Sequence, residues 1–458
     1  MLELLGRQAV RELDRPVLGE LQSKVHGKVI LPEQPEYDSA RKIWNGMIDR
    51  YPAVIVRCSD ASDVVEAIRF ARSHDLVISV RGGGHGFPGY ATVDDGIVID
   101  LSFMKDILVD PQRQTALVSA GLTLGEFMQA TQVYGLATTT GTASDTGVAG
   151  LTLGGGLGYL MSKYGLACDN VISYEMVTAD GEIVQASAVE NTDLYWGLRG
   201  GGGNFGIVTK FEFQLHPVTT VLSGLLFHPM AKAREVLRFY RDFAEQSPDE
   251  LTVYSAMLTS PDGHPVVAMI PCFFGDLKEG EHIMEPLRKF GPPVGDTVRP
   301  MSYSEVVHLI DEITPRGRMY YAKSRTLPKL PDSAIDLMAE AGESMTTPFC
   351  QVLNQYIHGA AARVAPGDTA FVARGESYMP IFVAAWENGP AEPHIEWARK
   401  NWAAFKPFSI EAGYVNFMSA DGPNQVALTY GSNYARLLEL KRRYDPDNIF
   451  RMNANIQP

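Results

Sequence analysis

Between positions 81 and 206 the backbone is stripped of side chains three times, in Arg81-Gly-Gly-Gly-His85-Gly86, Gly154-Gly-Gly-Leu-Gly158 and Arg199-Gly-Gly-Gly-Gly203-Asn-Phe-Gly206. Glycine serves where the main chain must turn through positive φ or pass close to another group, and successive N–H groups freed of side-chain bulk form anion-binding nests. Three such loops in one region point to an extended ligand with a diphosphate. The pattern Gly201-x-Gly203-x-x-Gly206 matches the dinucleotide fingerprint only in form, because that motif lies between a strand and a helix. Here Asp193-Leu-Tyr-Trp-Gly-Leu precedes it and a strand-like run, Ile207-Val-Thr-Lys-Phe-Glu-Phe, follows. That excludes a Rossmann site, and the lack of Gly-Lys-Ser/Thr excludes a P-loop.

A chain of 458 residues is too long for one hydrophobic core, so two domains, or one with a large insertion, are expected. The net charge of −14, with no Lys/Arg run longer than three, argues against nucleic acid, which needs a basic stripe. A small-molecule partner is expected instead. Cys58, Cys168, Cys272 and Cys350 are scattered with no CxxC pair, which suits a reducing compartment and suggests neither a disulfide framework nor a zinc site. The opening stretch MLELLGRQAVRELDRPVLGEL reads as an amphipathic helix rather than a signal peptide. No segment reaches the roughly eighteen apolar residues of a membrane span, and no Asn-x-Ser/Thr acceptor occurs. The expectation is a cytoplasmic protein with no membrane partner; nothing in the sequence selects an oligomeric state.

Apolar runs at Pro52–Val56, Leu76–Val80, Ile97–Leu101 and Ala116–Ala120 predict strands, with a hairpin at Asp180-Gly181 and a helix behind Ser62 as its cap. Beyond about Pro217 the glycine clusters cease. Strand-like segments (Leu251–Leu258, Pro265–Phe274, Phe349–Ile357, Met379–Ala385) there mix with helical ones (Ala231–Gln246, Ser333–Ala341). This predicts an antiparallel sheet with helices on one face.

Five motifs in order, the three glycine loops with Tyr164-Gly-Leu-Ala-Cys-Asp169-Asn170 and Tyr444-Asp-Pro-Asp-Asn-Ile-Phe450, resemble the berberine-bridge-enzyme branch of the vanillyl-alcohol-oxidase flavoproteins over nearly the whole chain. The resemblance implies an α+β fold: a PCMH-type, two-subdomain FAD-binding domain with an inserted substrate domain built on an antiparallel sheet covered by helices. The boundaries it implies are 1–216, 217–410 and 411–458, the last segment returning to the FAD domain.

Alone, a histidine after three glycines reads as a loop residue capping a turn. The resemblance implies instead that His85 bonds the flavin 8α-methyl, a role suited to neutral imidazole as a nucleophile. Relatives with a second link carry a cysteine where this chain has Ala143, so the link is expected to be single; Cys168 reads as a packing residue. Thr146 falls where the family gates oxygen, which favours an oxidase over a dehydrogenase or a flavin-bound binding protein. By motif, Arg81, Gly82, Gly83, Gly84, Gly86, Gly147, Gly150, Gly155, Gly158, Asn204, Gly206, Val208, Asn453 and Asn455 are expected along FAD. The family's two usual bases are replaced by Met379 (counted from Trp386) and Phe417, which leaves Tyr356 and His358 on the strand Asn354–His358, together with Tyr321, Tyr254 and Lys323, as candidates. The expected reaction is hydride transfer from an alcohol, an amine or a secondary-metabolite intermediate to FAD, with O₂ as the oxidant; the apolar floor favours an aromatic or amine substrate.

Overall fold

A computed structural model of the chain describes residues 13, 15–418 and 423–458. The first apolar runs form β1 (Lys28–Ile30), β2 (Val54–Arg57), β3 (Ile78–Arg81) and β4 (Ile97–Asp100), in the order β1-β2-β4-β3. Strands β2, β4 and β3 run parallel and β1 antiparallel to β2. Strand β4 is buried at every position, as a parallel strand covered on both faces must be. The helix Ala61–Ser73 starts two residues earlier than expected. Its cap is Asp60, whose carboxylate accepts from the N–H groups of Ser62 and Asp63, and the Ser62 hydroxyl donates to the same carboxylate. An ionised acceptor outcompetes a hydroxyl for helix N–H groups. Residues 15–24 are helical, while residues 1–12 and 14 of the expected N-terminal helix lie outside the described residues.

A second sheet follows. Strands β5 (Ile107–Asp110), β6 (Thr115–Ser119), β8 (Val171–Val177), β9 (Ile183–Ser187) and β10 (Ile207–Gln214) form an antiparallel array in the order β5-β6-β10-β8-β9; β7 (Leu136–Ala137) pairs with β11 (His216–Pro217). The expected hairpin joins β8 to β9, with Gly181 at φ +79°. Strand β10 follows directly on the third glycine cluster, so the loop does not open into a helix N-terminus.

The remaining strands form one nine-stranded sheet. They are β12 (Thr220–Ser223), β13 (Leu226–Pro229), β14 (Leu251–Thr259), β15 (Pro265–Phe273), β16 (Gly295–Asp296), β17 (Arg299–Ser302), β18 (Met319–Ser324), β19 (Gln351–Ile357) and β20 (Ser377–Trp386). The main path is β16-β13-β15-β14-β19-β20-β18, antiparallel throughout, with β12 and β17 attached beside β15. Helices Ala233–Ala244, Asp332–Glu343 and Glu392–Ala404 cover one face. The other face packs against the glycine-rich half, so all ten residues of β20 are buried. Alternation along a strand therefore assigns each side chain to one of two interiors. Tyr254, Ala256, Leu258, Ile357, Met379 and Ile381 share a core with the glycine-rich half, whereas Val253, Met257, Val352, Tyr356, Tyr378 and Phe382 pack under the helices.

After the helix Tyr434–Tyr444 the tail returns to the first half. Lys441, fully buried, holds it there: its ammonium donates to the Asn204 and Phe450 carbonyls and pairs with the buried Asp445 carboxylate at 2.6 Å. Asp445 in turn accepts from the N–H groups of Ile449 and Phe450. Lys441→Met strands that carboxylate without its cation and should cost about 3–5 kcal/mol in denaturant unfolding; a loss under about 1 kcal/mol would contradict this reading of the pair.

Candidate functional site

The loop Arg81–Gly86 and the stretch Thr140–Gly147 meet back to back. A methyl group on Gly83 would run into the Gly147 backbone nitrogen, and one on Gly147 into that of Gly83, so neither position admits a side chain. Gly84 turns through φ +67°. Between these loops and the inserted sheet lies a cavity of about 410 Å³. Gly82, Gly83, Gly84, His85 and Gly86 line it, with Ala143, Thr146 and Gly147 from the facing stretch and Gly150 from the helix Val148–Leu153 that follows it. Asn204, Gly206 and Val208 border it at the start of β10, and Asn453 comes from the tail. Asn204 clamps tail to loop: its amide donates to the Gly201 and Ala454 carbonyls and its Oδ1 accepts from the Ile456 N–H. The Asn453 amide donates to Gly203 and Phe450, yet its Oδ1 is buried without a partner. An orphaned buried acceptor costs about 1–3 kcal/mol, a cost that a bound ligand's donor relieves. A long cradle of bare backbone with such an acceptor fits a flavin dinucleotide.

Four expected contacts lie elsewhere. Arg81 turns away beneath the first sheet, donating to the Ala40, Ala91 and Arg41 carbonyls and facing Asp100 at 3.8 Å. Gly155, at φ +125°, gives room to the Phe371 ring, and Gly158 to the Thr140 carbonyl; both are packing glycines. Asn455 does not line the cavity.

His85 is fixed from two sides. Its ring stacks on Trp44, with centroids 4.1 Å apart and planes at 20°. Its Nε2 lies 2.9 Å from Asp145 Oδ1, near enough for a hydrogen bond but not yet aligned for one. Burial works to raise the Asp145 pKa; the His85 contact and the charges of His85 and Arg316 outweigh it and hold the carboxyl below its ordinary range. Arg316 Nε sits 3.0 Å from Asp145 Oδ2.

The inserted sheet roofs the cavity with one of its two alternations, and it is not the one expected for Tyr356. Gln351, Leu353 and Gln355 of β19 reach the cavity, as do Tyr254 of β14 and Tyr320 of β18. Tyr356 points the other way and stacks between Tyr378 (4.5 Å) and His358 (5.1 Å) under the helices. Tyr321 likewise faces the helical layer, where its hydroxyl accepts from Arg399, and Lys323 lies over the Trp402 ring. Tyr356, His358 and Tyr321 are therefore corrected from site residues to residues of the far core. Shifting by one residue along a strand exchanges its faces, so the neighbours Gln355 and Tyr320 take their places. Cys168 is fully buried away from the cavity, and desolvation pushes its thiol pKa up.

Among the described residues, no Asp, Glu, Lys or Arg lines the cavity. Burial pushes Tyr414 up to about 12 and raises Tyr159, Tyr254 and Tyr320 as well, which holds these four protonated. The Gln355 Oε1 is buried there without a partner. Trp44, Asp145, Arg316, Tyr320, Gln351 and Gln355 were not singled out from sequence. No local signal sets the parity of β19, since Leu353 and Ile357 on one face are matched by Val352 and Tyr356 on the other.

Residues 52–187 match the model of an FAD binding domain, and residues 413–457 that of the berberine and berberine-like family. An FAD-linked oxidoreductase of Dictyostelium discoideum is 32% identical, covering 96% of this chain and 97% of its own. (R)-6-hydroxynicotine oxidase of Paenarthrobacter nicotinovorans is 31% identical over 95% and 97% of the two chains. The crystal structure of 6-hydroxy-D-nicotine oxidase from Arthrobacter nicotinovorans superposes with a TM-score of 0.87 at 30% identity, covering 98% of this chain and all of its own. Two substitutions check the assignment of faces and loops. Gly83→Ala should weaken FAD binding at least about tenfold, or about 1.4 kcal/mol, and Tyr356→Phe should leave the protein fully yellow. Absorbance of the purified proteins reads both; a colourless Tyr356→Phe or a normally loaded Gly83→Ala would contradict the site.

Proposed function

This chain belongs to the berberine-bridge-enzyme-like family of FAD-linked oxidoreductases, and we propose that it is an oxidase acting on the carbon beside the nitrogen of a small, uncharged, largely apolar amine. One observation carries the reading: among the described residues no carboxylate and no cation lines the cavity, and burial keeps Tyr254, Tyr320 and Tyr414 neutral. An alcohol must surrender its O–H proton as the hydride leaves, which calls for a general base. A neutral amine expels hydride with its own lone pair and needs none. Bound FAD supplies the two-electron acceptor, taking the hydride and handing both electrons to O₂ to give hydrogen peroxide. The protein's part is to orient the substrate and exclude water. Gln355 offers an amide oxygen for a substrate N–H or O–H, while Tyr254, Leu353, Val383 and Phe417 supply apolar wall. The relative named (R)-6-hydroxynicotine oxidase, whose substrate is an amine, supports the same class.

His85 is the attachment point in this proposal, linked to the 8α carbon, and Ala143 leaves no second link. Thr146 is half-buried beside Gly147 on the cavity wall and is read as the residue that admits O₂. The division 1–216, 217–410 and 411–458 into FAD domain, substrate domain and returning segment is kept as part of the proposal, since the nine-stranded sheet is drawn from residues 220–386. Four free, buried cysteines suit the proposed reducing, cytoplasmic setting. No helix of the described residues is long and apolar enough to cross a membrane.

Photoreduced holoprotein mixed with air should recover its oxidised spectrum within seconds and release hydrogen peroxide; flavin that stays reduced in air but is oxidised by a quinone would instead identify a dehydrogenase. Thr146→Ile should slow the air step about tenfold, near 1.4 kcal/mol, with little change in anaerobic reduction, and equal slowing of both halves would count against a gate. The amine reading also fixes the sign of a pH profile. Only the unprotonated amine can donate hydride, so kcat/KM should climb about tenfold per pH unit up to the substrate's own pKa and then stay level to roughly pH 10. A plateau whose onset tracks the same enzyme pKa across substrates of different basicity would reveal a base in the cavity and overturn it.

A further inference from the structure

The attachment of flavin to His85, as proposed above, needs more than a nucleophilic nitrogen, and the surroundings of the ring point to where the rest comes from. Neutral imidazole carries one N–H and one lone pair, and the hydrogen bond at one nitrogen selects which nitrogen is left to react. With Nε2 2.9 Å from the Asp145 carboxylate, the proton is drawn to Nε2 and the lone pair stays on Nδ1. Trp44 fixes the plane of the ring. Asp145 is itself tied from the inserted half by Arg316, whose Nε meets Oδ2 at 3.0 Å and whose Nη2 donates to the Gly83 carbonyl at 2.8 Å. The same segment secures Trp44: its indole N–H donates to the Thr314 carbonyl, its far face stacks on Tyr320 at 3.9 Å, and its carbonyl accepts from the Gly317 N–H.

We infer that Asp145 is the positioning residue for flavin attachment, holding His85 in its Nε2–H form and taking up the proton as the bond forms, and that Arg316 holds Asp145 in register. One C–H bond of the flavin 8α-methyl breaks and a bond forms between that carbon and His85 Nδ1. The methyl carbon would give up a proton to solvent and the imidazole its own through Asp145, while the flavin ring, left two electrons richer, would take up protons from solvent in their place; O₂ then takes two electrons and two protons from it and leaves as hydrogen peroxide. Once Nδ1 is bonded to carbon the ring would carry a positive charge, and loss of the Nε2 proton to the neighbouring carboxylate discharges it. Asp145, 2.9 Å from Nε2 and paired with Arg316, is placed to take that proton and pass it to solvent. Residues of the substrate half thus complete the attachment site of the flavin half.

Full-length wild type, Asp145→Asn, Asp145→Glu and Arg316→Ala, purified after growth with ample riboflavin, are denatured in acid and the flavin in pellet and supernatant is measured. Any unattached fraction is then incubated with FAD in air and sampled over time, and reversible FAD affinity is measured in parallel. Wild type should keep its flavin in the pellet. Asp145→Asn should bind FAD within about threefold of wild type but attach it about a hundredfold more slowly, the usual scale for losing a proton acceptor. Asp145→Glu should recover most of the attachment, and Arg316→Ala should slow it about tenfold. A wild type that releases all its flavin into acid overturns attachment at His85 itself. A wild type that retains it while Asp145→Asn attaches equally fast, or while Asp145→Asn no longer binds FAD at all, leaves that reading standing and overturns the role given to Asp145.

Discussion

The site depends on a contact between two pieces of backbone with no side chains between them. Gly83 and Gly147 exclude each other's Cβ, and because they meet, His85 on one loop comes to stand beside Asp145 and Thr146 on the other. A single methyl group at either position would part the loops and with them the histidine, its carboxylate and the proposed oxygen gate. The other glycines of these clusters carry less. Gly155 and Gly158 make way for Phe371 and for the Thr140 carbonyl, so glycine density marks both ligand cradles and plain packing, and only geometry separates the two.

Burial on both faces of the inserted sheet explains why the fold was legible in the sequence and the pocket was not. Runs such as Leu251–Leu258 and Met379–Ala385 announce strands by their apolar content, and the hairpin at Gly181 and the strand after Gly206 follow from turn chemistry and from the failure of the dinucleotide pattern to continue as a helix. A strand exposed on one face reveals its orientation by polar alternation. One that serves two interiors does not, and β20 is apolar or buried throughout. The choice between Tyr356 and Gln355, or Tyr321 and Tyr320, then rests on which interior holds the ligand, and that is decided by residues far away in the chain. Asp145 was unreadable for a related reason: its partners, His85 and Arg316, lie 60 and 171 positions away, and no local pattern connects them.

Charge is distributed to match. Among the described residues, tyrosines and the histidine at its edge are the ionisable groups that line the cavity, a setting in which an uncharged substrate loses little solvation on entry while a charged one would be penalised. The ion pair of Asp145 with Arg316 beside the histidine sits at the rim, partly open to solvent. There it can pass a proton outward without placing a charge against the substrate. Absence of a base inside and presence of an acceptor outside fit a protein that needs proton transfer once, when its cofactor is secured, and not in each turnover.

The account rests most heavily on His85 as the point where flavin and protein are joined. Peptide mapping of the proteolysed native holoprotein by mass spectrometry tests this directly. The account predicts one flavin on the peptide containing His85, none on the peptide containing Cys168, and an unmodified peptide in His85→Ala; a flavin-free His85 peptide from fully yellow wild type, or flavin recovered on Cys168, would contradict it.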